Sequence, residues 1–410
     1  MLKFLSFLKD DATRILFLIF VANIFYDDPT LFLYKRIIYS ICIYYSLYEI
    51  IKFYYTKRNN ENFLQLPLYY KVSLPLLLLF VLIALSNDLV NPNLKWITLL
   101  NNPYALMSVC PVFLLIIGSN TEDTEAIYKV FMAVIIVFLL VYLLPTAEEV
   151  KFYQGYICAN AFIPLFFFST TLNKNKIITY GLIIIGIVFS QISGYRIIAL
   201  RILLFLSLYL AFTICKRFSI LKIFIIAITC FCLYQFIANL PDLLYLFKEI
   251  TGIKNFDDDD TRGFLWEEIF SELKGSDLVF GRGFLGTYFS EYFLMLLTRY
   301  REYADHYERF TVEVGFLQFI LKGGFFWYIL FITPILYTSL KGIFRYFDDK
   351  LTYFISIFLL TELLLMFIEN LPYFSFQYST LYFLTGFAIR RMYTISNNQP
   401  ELIQLQNFQI

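Results

Sequence analysis

Apolar residues fall in blocks of about 18–25 along this chain, each closed by a short polar stretch, and about 20 apolar residues carry a helix across the hydrocarbon of a bilayer. The pattern predicts helices over about 13–25, 31–55, 69–86, 97–118, 127–145, 152–170, 177–191, 197–215, 219–238, 314–340, 351–370 and 374–390. These blocks are too long and too uniformly apolar for barrel strands, and only helices or closed barrels satisfy backbone groups in lipid. The expected fold class is an all-α polytopic membrane protein with about twelve transmembrane helices. Lys35, Arg36 and Glu49 interrupt the second block, and Asn101, Asn102 and Pro103 interrupt the fourth, so short re-entrant pieces fit at either place.

One long polar stretch separates the ninth and tenth blocks. It divides the chain into helices one to nine (1–238), a large external loop (239–313), helices ten to twelve (314–390) and a tail (391–410). A loop of this length is usually functional or disordered, and Phe264, Trp266, Phe280, Tyr288, Phe289, Tyr292 and Phe293 argue against disorder. Within it, 266–270 reads as part of a short helix and 284–297 as an amphipathic helix lying in the interface plane.

Lysine and arginine set the orientation. One alternating set of connections holds Lys52, Lys57 and Arg58; Lys174 and Lys176; Lys216, Arg217 and Lys222; Lys341, Arg345 and Lys350; and Arg390 with Arg391. The other set is poorer in cations and includes Glu148 and Glu149. The first set is expected in the cytoplasm, which places both termini there and the long loop outside. The first residues, lacking a small-residue cleavage site, read as a cytoplasmic end leading into a retained helix.

Composition sharpens the class. Hydrophobic residues make up 59% and charged residues 16%, against about 45–50% and about 25% in soluble domains. A net charge of +1 and the lack of a basic stripe exclude a general nucleic-acid binder. All six cysteines lie inside apolar blocks, which fits packing better than a disulfide framework or a zinc site.

Several residues have the chemistry of a site. Arg196 follows Ser193-Gly194-Tyr195, and Arg201 lies five residues on; charge at the edge of the hydrocarbon faces the bundle interior or snorkels to headgroups. Four aspartates, 257–260, read as a solvated run. Arg262 stands four residues before Trp266, at helical spacing, and its fork suits a phosphate or diphosphate. Phe280-Gly281-Arg282-Gly283-Phe284-Leu285-Gly286 is a tight turn with exposed N–H groups, a candidate anion nest. Arg299, Arg301, Asp305, His306, Glu308, Arg309 and Glu313 close the loop. His306 is the chain's one histidine, so no multi-histidine metal site exists, and His306 or Glu313 is a candidate base. Asp27-Asp28-Pro29 suits a turn, or the metal site of a metal-assisted glycosyltransferase.

The order of Ser193-Gly194-Tyr195-Arg196, Thr261-Arg262 with Trp266, Gly281-Arg282-Gly283, Gly315-Phe316-Leu317-Gln318 and Gly323-Gly324 resembles the O-antigen polymerase and O-antigen ligase superfamily, over about residues 180–340. The resemblance implies a GT-C-like membrane enzyme with one large periplasmic loop in the bacterial inner membrane. It implies inverting, metal-independent glycan transfer from an undecaprenyl diphosphate donor, without a cofactor. Its functional arginines correspond to Arg196 and Arg262. The ligases carry a histidine where the loop re-enters the membrane; this chain has Glu313-Val314 there, which favours a polymerase over a ligase. A lipid-linked oligosaccharide flippase is the non-enzyme alternative, but no internal symmetry supports it. The candidate catalytic residues are Arg196, Arg262, Glu313 and His306; the candidate substrate-binding residues are Tyr195, Arg201, Trp266, Arg282 and Arg309. Partners expected are the lipid-linked donor and acceptor, membrane lipid and a chain-length regulator protein, and no nucleic acid.

Overall fold

A computed structural model describes residues 10–26, 32–57, 76, 79, 82–86, 88–89, 113–143, 161–174, 176–192, 196–238, 261–291, 294, 308–368 and 375–398. Tyr195, His306, the Asp27-Asp28 pair, the 257–260 aspartates, Asn101 to Pro103 and residues 399–410 of the tail lie outside the described residues, as do the side chains of Arg196 and Arg262. The protein is mostly helical, and the helices outside the 239–313 stretch fall on the apolar blocks. They are α1 (Asp11–Tyr26), α2 (Phe32–Lys57), α3 (Thr124–Leu143), α4 (Ala161–Leu172), α5 (Lys176–Ile192), α6 (Arg196–Ile214) and α7 (Ser219–Ala238). Then come α8 (Thr261–Glu272), α9 (Ser276–Phe280), strands β1 (Tyr288–Phe289) and β2 (Glu308–Arg309), and α10 (Gly315–Arg345), α11 (Lys350–Leu365) and α12 (Phe376–Asn398).

Local chemistry sets the ends. Asp10, Asp123 and Asp349 accept backbone N–H bonds from Thr13 (3.0 Å), Ala126 (2.9 Å) and Thr352 (3.0 Å), capping α1, α3 and α11. Asn173, at φ 50°, ends α4 in the left-handed conformation that asparagine tolerates. The second block is one unbroken helix: Glu49 is buried against α1, where Arg14 reaches it at 2.6 Å.

The core is built around α11, whose residues from Leu351 to Leu365 are all buried. Phe354 stacks against Phe167 of α4 and Tyr209 of α6. Glycines let helices touch: a Cβ on Gly386 of α12 would strike the Leu115 carbonyl, and one on Gly118 the Phe383 carbonyl, so the 113–119 helix and α12 cross backbone to backbone. By contrast α5, α6 and α7 present apolar side chains outward; Ile177, Ile214 and Ile220 are 80–85% exposed.

Among the described residues, α10 is the one helix long and apolar enough to cross a membrane alone, and α4, most of α6 and most of α7 are shorter apolar helices. Gly324, at φ 69°, interrupts α10. The stretch after it, 325–345, spans about 31 Å at 1.5 Å per residue, close to the hydrocarbon thickness of about 30 Å.

Charge is segregated to two ends. At one end, Lys216 pairs with Asp348 (2.8 Å), Arg391 with Asp349 (2.7 Å), Arg390 with Glu122 (2.6 Å) and Lys174 with Glu125 (3.3 Å). The connections that the cation pattern grouped together are therefore joined to one another. The segment from α8 to β2 sits at the other end.

That segment differs from expectation in one place. Residues 284–297 do not begin as an amphipathic helix: 284–285 form a turn and Tyr288–Phe289 pairs antiparallel with Glu308–Arg309. Gly283, at φ 84°, and the β-favouring aromatic pair override the helical periodicity there. The last helix also runs to Asn398, beyond the expected end at 390.

Candidate functional site

The glycine-rich turn joins the outer segment to α10. The N–H groups of Arg282 and Gly283 donate to the carbonyls of Leu321 (2.8 Å) and Lys322 (3.1 Å), at the break in α10. The next two, Phe284 and Leu285, donate to the carboxylate of Asp88 at 3.0 and 2.8 Å. The expected anion nest therefore exists, and its anion is the protein's own Asp88. Burial pushes the Asp88 carboxyl up, while the two N–H bonds and nearby Lys322 pull it back; the net shift is upward. Lys322, buried, donates to the Gly286 carbonyl (2.6 Å) and lies over the Phe310 ring. A side chain on Gly281 would meet the backbone of Lys322 and Gly323, and one on Gly324 the Val279 carbonyl. The two glycine motifs are thus one contact, turn against kink.

Around this latch Arg282, Arg309, Glu313 and Trp266, among the expected site residues, are tied down. Arg282 was expected to bind substrate, but its fork is committed internally: to Glu272 (2.6 Å), Asp277 (3.1 Å) and the Thr287 carbonyl (2.8 Å). These carboxylates outweigh burial and raise its pKa. Arg309 forms a two-point pair with Glu313 (2.5 and 3.2 Å) and reaches the Tyr288 hydroxyl. The candidate base is therefore a partner of a candidate substrate arginine, and burial of Arg309 is overcome by that carboxylate. Trp266 stacks on Phe316 (5.2 Å) and Phe270 (5.9 Å), and Phe316 continues onto Phe367 (5.2 Å). Glu272 also accepts from the Phe289 N–H (2.7 Å), and Glu268 from Ser290 (2.8 Å), which braces β1 against α8.

Arg201 departs most from a headgroup role. It is 1% exposed, with Nε 2.7 Å from Glu362 Oε1 on α11. The approach is an ion pair but is out of line for a hydrogen bond. Gln377 Nε2, at the start of α12, donates to Glu362 Oε2 (3.2 Å). Glu362 was not among the expected residues, although an acid in the middle of an apolar block marks a buried role. Lys322 and Asp88 carried the same signal, as a lone cation in the tenth block and an acid beside the third. Removing one partner of a buried pair costs about 3–5 kcal/mol.

The cluster lies at the same end as the latch. The Phe316 N–H donates to the Met366 carbonyl (3.0 Å), and the Met366 N–H to the Glu362 carbonyl (3.2 Å), so Glu362 is one turn below the joint. Arg196 heads the same helix as Arg201, about 7.5 Å away along its axis. A cavity of about 90 Å³ between α10 and α12, lined by Tyr337, Lys341, Tyr346, Met392 and Tyr393, lies at the opposite, ion-paired end and is remote from this chemistry.

Comparison with family models, curated proteins and solved structures gave no match for this chain.

Proposed function

We propose that this chain is a membrane-embedded polysaccharide polymerase that joins oligosaccharide repeat units carried on undecaprenyl diphosphate. In this reading about twelve helices cross the bacterial inner membrane in a GT-C-like arrangement. Both termini and the ion-paired end are cytoplasmic, and the segment from α8 to β2 is periplasmic. One observation carries the reading: the late outer segment is folded and latched to a kinked membrane-length helix, at the bundle end where α6 bears Arg196 and Arg201. The outward apolar faces of α5, α6 and α7 support a lipid surround, since contiguous apolar surface of that kind is costly in water.

The chemistry follows from charge. A departing lipid diphosphate gains negative charge, and Arg196 and Arg262 would stabilise it in a partly dehydrated cleft; one such donor is worth about 2.7–4 kcal/mol in well-studied enzymes. The acceptor hydroxyl loses its proton as the new glycosidic bond forms, with His306 or Glu313 as the group that takes it. For Glu313 to act, its bond to Arg309 must open or Arg309 must accompany the substrate. Glu313-Val314, standing where the ligases carry a histidine, favours polymer formation over transfer to lipid A-core.

The test is direct. Arg196→Ala and Arg262→Ala should each leave the chain inserted in the membrane and abolish long-chain polymer on a glycan gel. Polymer of normal length and amount from both variants would overturn the assignment.

A further inference from the structure

The Arg201–Glu362–Gln377 cluster is polar chemistry left over by the fold. Nη1 and Nη2 of Arg201 have no hydrogen-bond partner among the described residues, and neither does Glu362 Oε1. Arg201 is 1% and Glu362 0% exposed. On α12, next to Gln377, the hydroxyls of Ser379 and Thr380 are also buried and unpartnered among the described residues. Buried donors and acceptors in native proteins are nearly always satisfied, so a guanidinium with two nitrogens left without hydrogen bonds, beside a carboxylate oxygen that has only its ion pair to Nε, indicates a group that comes and goes.

Charge decides which kind. The pair is already neutral, one positive against one negative. A phosphate would leave the buried cluster net negative, with Glu362 beside it, and burying uncompensated charge is the most costly arrangement available. A hydroxyl adds no charge, accepts from Nη and donates to Oε1 at once. Two adjacent hydroxyls match the planar fork of the guanidinium and the amide edge of Gln377. We propose that Arg201, Glu362 and Gln377 form a subsite for the vicinal hydroxyls of an uncharged sugar ring, within the outer third of the bundle. This rests on the polymerase reading for the sugar's origin: it would be a residue of the lipid-linked repeat unit, held one helical turn beneath the latch.

The experiment uses the full chain in detergent micelles with a panel of methyl hexosides and N-acetylhexosamines. Saturation-transfer NMR detects sugar contact, and phosphorus line broadening follows inorganic phosphate in parallel. Wild type should transfer magnetisation to at least one sugar, and Glu362→Gln and Gln377→Ala should lose that transfer. A single variant that strands Arg201 can unfold, so the double variant Arg201→Met with Glu362→Leu is the second arm. Apolar replacement of a buried pair is often tolerated, so the double variant should keep its melting temperature and lose the sugar signal. Sugar transfer that persists in the folded double variant overturns the proposal. So does phosphate broadening that depends on Arg201 without any sugar contact, and so does a wild type that contacts no sugar on the panel. A polymerisation assay separates the two proposals. Sugar contact with no polymer leaves the subsite standing and removes the polymerase reading. Polymer from the double variant at wild-type acceptor KM removes the subsite and leaves the polymerase. If both hold, acceptor KM should rise about tenfold or more.

Discussion

Helix α11 and the α6–α7 hairpin are built from the same kind of apolar sequence, yet their side chains meet opposite surroundings. From Leu351 to Leu365 every residue of α11 is buried. In α6 and α7, Leu203, Leu210, Ile214, Ile220, Ile223 and Phe231 are 59–82% exposed. Hydropathy reports that a segment avoids water; it does not report what replaces the water. Where the replacement is protein, shape must match and glycines mark the contacts. Where nothing of the chain covers the helix, only apolarity is required.

The largest effect that would break this comparison comes from the glycines. Gly386→Leu forces a side chain into the Leu115 carbonyl, which should cost about 3 kcal/mol or more and leave little folded material on size-exclusion in detergent. Gly181 on α5 has nothing within 4 Å of an added Cβ, and Gly181→Ala should be neutral or stabilising by about 0.5–1 kcal/mol. Equal damage at both positions would refute the division into packed and unpacked helices. A smaller effect is expected from truncation: Leu359→Ala in α11 should cost about 2–5 kcal/mol, and Leu210→Ala on α6 within about 0.5 kcal/mol, both read by thermal unfolding.

The smallest effect is ionic. Burial alone would raise the Asp349 carboxyl, but Arg391 and Thr352 hold it below the ordinary value. A depressed folded pKa gives stability that is present above the unfolded pKa of about 3.9 and is lost as pH falls through the lower folded value. Both partners are partly exposed, so about 1 kcal/mol is at stake. Melting temperature measured from pH 6 down to 3 should fall less steeply in Asp349→Asn than in wild type; identical slopes would show that this ionic end contributes nothing.

The helices were legible because apolar runs are local: the expected 197–215 and 219–238 are found at Arg196–Ile214 and Ser219–Ala238. Joined connections were legible from lysine and arginine placement, since Lys216, Arg390 and Arg391 all pair at one end. What escaped was anything that required a distant partner. Nothing near Asp88 in the sequence announces that Phe284 and Leu285 bind it. Arg201 looked free to reach headgroups, because nothing near it in sequence announces Glu362. Trp266 was matched to Arg262, four residues away, whereas its described stacking partners include Phe316 of α10. The turn at Gly283 defeated the helical reading over 284–290, because a left-handed residue and a strand pairing outweigh a short stretch of periodicity.

The break at Gly324 has a mechanical meaning. Two carbonyls that a straight helix would use on itself are spent on Arg282 and Gly283, so the outer segment is clamped by main-chain bonds to the first part of α10, just before the break. Shifting the outer segment away from α10 therefore means breaking backbone bonds as well as exchanging side-chain contacts.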